Sequence, residues 1–183
     1  MRTPIPDRET RFRALYADAY ADVLRFAQRR VHPSHAEDVT ADAFLVAWRR
    51  FDDLPNRRDD VRAWLFGIAR HCLLNTQRGQ ERRDALAVRV AEAVSSVGSA
   101  DGLDADLLAQ RIDLAAAWRR LSETDQEALS LTVFEDLTSP QAGRVLGITA
   151  ASYRLRLLRA RRALRRQLDL AESSSYEQME TQS

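Results

Sequence analysis

Thr138-Ser139-Pro140-Gln141-Ala142-Gly143-Arg144-Val145-Leu146-Gly147-Ile148-Thr149 is the stretch on which the fold turns. Ser139 is placed to cap a helix whose first position is Pro140, where the missing N–H of proline is no loss. Gly143 falls in mid-helix and leaves room for a second helix to pack close. Gly147, four residues on, supplies a sharp turn, and Thr149 can cap the next helix. A short helix, a glycine turn and a capped longer helix make a helix-turn-helix.

The longer helix carries the chemistry. From Arg144 to Arg166 there are eight arginines and no acid. Tyr153, Leu157, Ala160 and Leu164 recur as an inward stripe, which leaves most of the arginines outside. A helix entering the major groove contacts base edges from its N-terminal turns and phosphates from its flanks. That geometry assigns Ser152, Arg154, Leu155 and Arg156 to base edges, and Arg159, Arg162 and Arg166 to phosphates. A run of charge is more often a solvated face than a site. Here the turn and the missing acids favour DNA.

Upstream, the pattern is helical throughout. Phe12, Leu15, Tyr16, Tyr20, Val23, Leu24, Ala27 and Val31 recur at spacings of three and four between Thr10 and Val31. His32-Pro33 breaks that helix, and Ser34-His35-Ala36-Glu37 reads as a capping box opening a second one to about Phe51. A loop spans Asp52 to Arg58. A third helix starts near Asp59 or Asp60, with Val61, Trp64, Leu65, Ile68, Ala69, Cys72 and Leu73 as its core stripe. Its other face carries Arg70, His71, Gln77 and Arg78 and runs on toward Arg82. Residues 85–106 lose periodicity and read as a flexible linker. Ser122-Glu123-Thr124-Asp125 opens a further helix with acids in its first turn. The polar tail from 171 to 183 reads as disordered. No strand-period segment is long enough for a sheet. The expected class is all-α: two small helical domains joined by a flexible linker, the C-terminal one containing the helix-turn-helix.

Composition sharpens this organisation. The chain has 183 residues, 45% apolar and 30% charged, which suits one large or two small soluble domains. All 28 basic residues are arginine. That is most simply a codon effect, although arginine also suits phosphates and base edges better than lysine. The net charge of +1 is a sum of opposites: residues 1–84 carry +3, 85–106 carry −3, 107–170 carry +4 and the tail −3. Two basic blocks flank an acidic connector. The sequence has no apolar run long enough to span a membrane and no secretory apolar core at its start. The single cysteine, Cys72, excludes an internal disulfide framework and suits a reducing compartment.

Four blocks in order carry a wider resemblance: FRALYADAYADVLRFAQRRV, AEDVTADAFLVAWRRF, RAWLFGIARHCLLNTQRGQERR, and LSETDQEALSLTVFEDLTSPQAGRVLGITAASYRLRLLRARRALRR. Over about residues 11–168 the chain resembles the extracytoplasmic-function (ECF) sigma factors of bacterial RNA polymerase. The resemblance divides it into sigma region 2 (1–84), an acidic linker (85–106), sigma region 4 (107–170) and a tail. It implies that Glu37, Asp38, Asp42, Phe44 and Trp48 stand at the positions that dock on the polymerase β′ clamp. Asp38 and Asp42 lie four apart on one helix face, suited to clamp arginines, whereas Phe44 and Trp48 also suit the core.

The resemblance implies that the third helix and its preceding loop read and melt the −10 promoter element. Melting holds an unstacked base in a pocket while basic groups track the strand. Asn56, Arg57, Arg58, Arg70, His71, Gln77, Arg78 and Arg82 are the residues it assigns there. His71 stands where the family commonly has asparagine, Asn75 where it has aspartate, and Ser152-Tyr153 where it has Thr-Val. The −35 element falls to the helix-turn-helix. The linker resembles the segment that family members thread through the polymerase cleft.

The partners implied are RNA polymerase core, promoter DNA and, as for many family members, an anti-sigma factor. No cofactor, metal or membrane insertion is expected, and the location is cytoplasmic. His32 and His35 flank a turn, without the further ligands a metal site needs. No phosphate loop, nucleophile elbow or catalytic carboxylate pair appears, so no enzyme is expected. The alternative is an autonomous helix-turn-helix regulator that binds duplex DNA without polymerase. A −10-reading block with its own basic face argues against it.

Overall fold

The computed structural model describes residues 7–76 and 105–180, and everything it describes is helix, turn or loop. Three helices come first: α1 (Arg8–Gln28), α2 (Pro33–Arg49) and α3 (Arg58–Thr76), with a single 3₁₀ turn at Phe51–Asp53. Four more follow among the described residues: α4 (Ala105–Arg119), α5 (Glu123–Val133), α6 (Ser139–Leu146) and α7 (Ala150–Glu180). The α1–α3 group packs around α2 and α3. The α4–α7 group packs around α5, α6 and the first half of α7. The two groups meet where α6 lies on α3.

Local chemistry moves several helix ends from where periodicity alone sets them. α1 starts at Arg8, earlier than the first apolar residue, because the Asp7 carboxylate caps it by accepting from the Thr10 N–H at 2.7 Å. α2 starts at Pro33, so Ser34 lies inside the helix and the expected Ser34–Glu37 capping box does not form. His32 is the cap instead: its Nδ1 accepts from the Ser34 N–H at 3.4 Å and sits 2.8 Å from the Ser34 hydroxyl. Pro33 is tolerated in this first turn for want of an N–H. Ser122 caps α5 as expected, accepting from the Asp125 N–H at 3.2 Å. Buried Gln126 ties that corner shut by donating to the carbonyls of Trp118 and Leu121.

The C-terminal end differs most. α7 stays helical through Glu180, in a tail whose polar composition reads as disorder. No glycine or proline occurs after Gly147 to stop it, and Glu, Gln and Met are good helix formers. Of the linker read at 85–106, residues 85–104 lie outside the described residues.

The core of the first group is aromatic. Phe44 of α2 meets Tyr16 (4.7 Å between ring centroids), Tyr20 (6.2 Å) and Phe12 (6.4 Å) of α1. α3 buries more than one stripe. Ala63 and Phe66, off the predicted seam, are as buried as Leu65 and Ile68 on it, because α3 has neighbours on two flanks. Phe66 stacks on Phe26 of α1, centroids 4.7 Å apart and 8° from parallel. In the second group the seam of α7 is as the spacing predicts: Tyr153, Leu157 and Ala160 are buried.

Candidate nucleic-acid interface

The helix-turn-helix is α6, its turn and α7. Its cap is Thr138, one residue earlier than Ser139: the Gln141 side-chain oxygen accepts from the Thr138 N–H (2.8 Å) and hydroxyl (2.7 Å). Gly147 takes the left-handed conformation, φ 67°. The Ile148 N–H then donates to the Gly143 carbonyl (2.9 Å) and the Gly147 N–H to that of Arg144 (3.2 Å), the paired bonds of a Schellman end. Gly143 is constrained by this turn rather than by a facing helix. A Cβ there would stand 2.8 Å from the Ile148 oxygen and 3.3 Å from the Ala150 nitrogen. Thr149 caps α7, its hydroxyl oxygen accepting from the Ser152 N–H at 3.1 Å.

Tyr153 fixes the pitch of α7 against α5. It is fully buried; its hydroxyl donates to the Ala128 carbonyl and lies 2.7 Å from the Thr132 hydroxyl. Burial pushes the phenol pKa up, opposed in part by the Thr132 hydrogen bond. With Tyr153 inward, Ser152, Arg154, Leu155, Arg159, Arg162 and Arg166 are exposed and Arg156 is half-buried. The Ser152 hydroxyl is engaged by Thr149, which donates to it at 2.9 Å. Arg159, Arg162, Arg165 and Arg166 line a shallow depression of about 350 Å³ with Asp169 at its end. Leu155 and Leu158, 49% and 45% exposed, interrupt the charge with apolar surface; Leu158 is not among the sequence-assigned contacts.

On the first group, Asn56, Arg57, Arg58 and His71 are exposed. Arg58 reaches Asp18 at 3.5 Å. Arg70 is half-buried and committed: its guanidinium donates to both oxygens of Glu127 on α5, at 2.9 and 3.3 Å. Gln77, Arg78 and Arg82 lie outside the described residues. Between α3 and the turn after α6 lies a cleft of about 540 Å³, lined by Trp64, His71, Asn75, Arg144 and Gly147 among others. Trp64 is therefore half-exposed at a cleft and not wholly core.

The α2 residues separate by burial. Glu37, Asp38 and Asp42 are exposed, Phe44 is buried and Trp48 stands at the edge, 36% exposed. Trp48 packs on Phe12 (5.0 Å) and lies under the Arg8 guanidinium (4.9 Å). Leu45, 48% exposed, shares the face of Asp38 and Asp42, and periodicity gave no reason to single it out. Burial, then the charge of Asp42, push the Cys72 thiol pKa up, which keeps it a poor nucleophile. Among the described residues, no three His, Cys, Asp or Glu side chains are grouped to hold a metal. No helix there is long and apolar enough to cross a membrane.

Sequence reading missed one cluster altogether. Glu135, in the turn before α6, is 2% exposed. Arg29 Nη1 donates to both of its oxygens (3.1 and 3.2 Å), and Arg30 Nη1 to one of them (3.3 Å) and to the Phe26 carbonyl (3.0 Å). Arg30 also lies over the Phe26 ring, 3.6 Å from its centroid. Burial lowers the Arg30 pKa and the Glu135 charge raises it again.

A helix-turn-helix with a one-signed outer face, carried beside a second helical bundle, defines a DNA-binding protein of the helix-turn-helix class. The chain matches the family models Sigma-70 region 2 over residues 15–83 and Sigma-70, region 4 over residues 111–164. It is 31% identical over 142 residues to the RNA polymerase sigma factor CnrH of Cupriavidus metallidurans, covering 73% of each chain. To the ECF sigma factor SigL of Mycobacterium tuberculosis it is 28% identical over 154 residues, covering 84% of this chain and 86% of that one.

The structure of CnrH in complex with the cytosolic domain of CnrY aligns at a TM-score of 0.57 and 25% identity, over 88% of this chain and 90% of that one. The sigma factor RpoE of Bartonella quintana, solved with the anti-sigma factor NepR, shares the fold: TM-score 0.57, 21% identity, 86% and 96% coverage. The protein belongs to the ECF sigma factors of the sigma-70 superfamily. Membership implies a role in directing RNA polymerase to promoters, as a DNA-binding regulator.

Proposed function

We propose that this chain binds RNA polymerase core through α2, reads and melts the −10 element with α3 and the loop before it, and reads the −35 element with α7. Glu37, Asp38 and Asp42 face the β′ clamp, with Trp48 at the rim and Phe44 holding the helix from within. Asn56, Arg57, Arg58, Arg70, His71, Gln77, Arg78 and Arg82 serve the −10 strand. Ser152, Arg154, Leu155 and Arg156 face base edges at −35, while Arg159, Arg162 and Arg166 hold phosphates. The division at 1–84, 85–106 and 107–170 belongs to the same reading, with the linker in the polymerase cleft. The place of action is the cytoplasm, and the inhibitory partner would be an anti-sigma factor, as the RpoE complex names for that protein.

The observation that carries this reading is the outward arginine face of α7, free of acids from Ala150 to Leu168, on a helix anchored by Tyr153. Such a face neutralises phosphates, while its first turns reach base edges. The test is run-off transcription with purified polymerase core on a promoter library. Promoter-dependent initiation is the expected result. Tight duplex binding without core, and no initiation with it, would overturn the proposal in favour of an autonomous regulator.

A further inference from the structure

Leu155 and Leu158 are 49% and 45% exposed on α7. Between Ser152 and Arg162 every other exposed residue but Ser152 is an arginine. A single exposed leucine needs no explanation. Two leucines three positions apart are neighbours on one helix face, and leaving both in water is unfavourable unless something covers them.

Their angular position is a second observation. Successive residues of a helix turn by about 100°. Tyr153, Leu157 and Ala160 define a narrow buried seam, and Leu155 falls on the side opposite to it. Arg154 and Arg156 flank Leu155 on either side, while Arg159 and Arg162 follow it one and two turns on. Leu158 lies one turn beyond Leu155, on the Arg154 side. With the seam of α7 held against α5 by Tyr153, a groove laid on the outer face meets Leu155 at its floor and arginines at its walls.

We propose that Leu155 and Leu158 form an apolar seat for the C5-methyl group of a thymine in the −35 element, so that this base is chosen by apolar contact and not by a hydrogen bond. The inference rests on the −35 assignment of α7 above and deepens it. In the major groove thymine alone presents a methyl group, whereas the edges of adenine, guanine and cytosine present donors and acceptors. A leucine laid on those polar atoms strips their water and returns no hydrogen bond, which is costly. Laid on a methyl group, it removes apolar surface of both partners from water. Charge fixes the occupant as nucleic acid: no acid occurs from Ala150 to Leu168, so the arginines around the two leucines call for an anionic partner.

The test uses the full-length chain reconstituted with RNA polymerase core, on promoter duplexes selected from a library randomised over the −35 region. Each thymine of the selected site is replaced in turn by deoxyuridine, which lacks only the methyl group. Wild-type binding should weaken about fourfold at one or two of these positions, as expected for the loss of one buried methyl group. That ratio should hold between about 50 and 200 mM salt while overall affinity falls steeply, because an apolar contact releases no counterions. Leu155→Ser should abolish the thymine–uracil difference, and Leu155→Met, which keeps an apolar side chain of similar volume, should retain it. Arg162→Ala should weaken binding and leave the ratio as it is. Circular dichroism checks that each variant keeps its helix content. A selected site indifferent to uracil, or a thymine–uracil difference that survives Leu155→Ser, overturns the seat and leaves the −35 reading standing. Selection of no −35 sequence at all removes that reading and the seat with it.

Discussion

Arg29 donates from one guanidinium nitrogen to both carboxylate oxygens of Glu135, at 3.1 and 3.2 Å, across 106 positions of the chain. Glu135 is 2% exposed, and Arg30 approaches the same carboxylate from its other side. In a rigid interior, removing one partner of such a cluster costs about 3–5 kcal/mol, because the other charge stays buried. Here the cluster joins the end of α1 to the turn before α6. Glu135→Ala removes the carboxylate from between Arg29 and Arg30 and should cost about 3–5 kcal/mol in urea unfolding.

Tyr153 gives a prediction with a pH dependence. Tyr153→Phe loses the bond to the Ala128 carbonyl and the contact with Thr132, and should cost about 0.5–1.5 kcal/mol in thermal or urea unfolding. The folded phenol titrates above its ordinary value because burial disfavours the phenolate. Its contribution is thus complete below the unfolded tyrosine pKa of about 10 and is lost as pH rises through the higher folded value. The stability of the wild type should fall across that alkaline window more steeply than that of Tyr153→Phe.

The turn of the helix-turn-helix places two glycines under different constraints. Gly147→Ala forces an alanine to φ 67° in open space and should cost about 1–2 kcal/mol. Gly143→Ala drives a methyl group against the Ile148 oxygen and the turn backbone, and should cost about 1–3 kcal/mol while tilting α7. Circular-dichroism melts give both costs. Duplex affinity should drop more for Gly143→Ala, since only there must the turn move.

At the recognition helix, Arg154→Ala should relax sequence preference at one position of the −35 site, with a discrimination loss of about 1–3 kcal/mol. Arg162→Ala should instead weaken binding to every sequence and reduce the salt dependence by about one ion. Competition gel shifts on a randomised duplex separate these outcomes. Equal weakening on all sequences for Arg154→Ala would reassign it to a phosphate.

Asp38 is exposed on the surface of α2. Asp38→Arg should leave the circular-dichroism melt within about 0.5 kcal/mol of the wild type, as surface changes do. It should nevertheless abolish binding to polymerase core in a pull-down. Retained affinity for core would remove Asp38 from the docking surface.

Several elements were legible in the sequence because their signals are local. Gly147 announces a left-handed turn, Thr149 and Ser122 cap the helices that begin beside them, and the spacing of Tyr153, Leu157 and Ala160 predicts one buried seam. Helix starts were less legible where two caps compete within a few residues. His32 displaced Ser34 and Thr138 displaced Ser139, since the choice depends on which backbone N–H each side chain can reach. The helical tail was missed because polar composition describes poor core-forming power and not the absence of helix.

The first helical group shows where periodicity ends. Phe66 lies off the predicted stripe of α3, yet it stacks on Phe26 of the buried face of α1 because α3 is packed on two flanks. Arg29 and Arg30 look like an ordinary solvated helix end, and Glu135 like a surface acid in a turn.

The amino-acid sequence alone determined the class of the fold, the helix-turn-helix and the one-signed face of α7, since each depends on residues within a turn or two of one another. Only the tertiary structure decided that Arg70 faces Glu127 instead of solvent, that α3 buries Phe66 beside its predicted seam, and that Glu135 sits between two arginines. Those are relations between segments up to 106 positions apart. Burial and charge pairing act on distance in space, which no local pattern in the chain encodes.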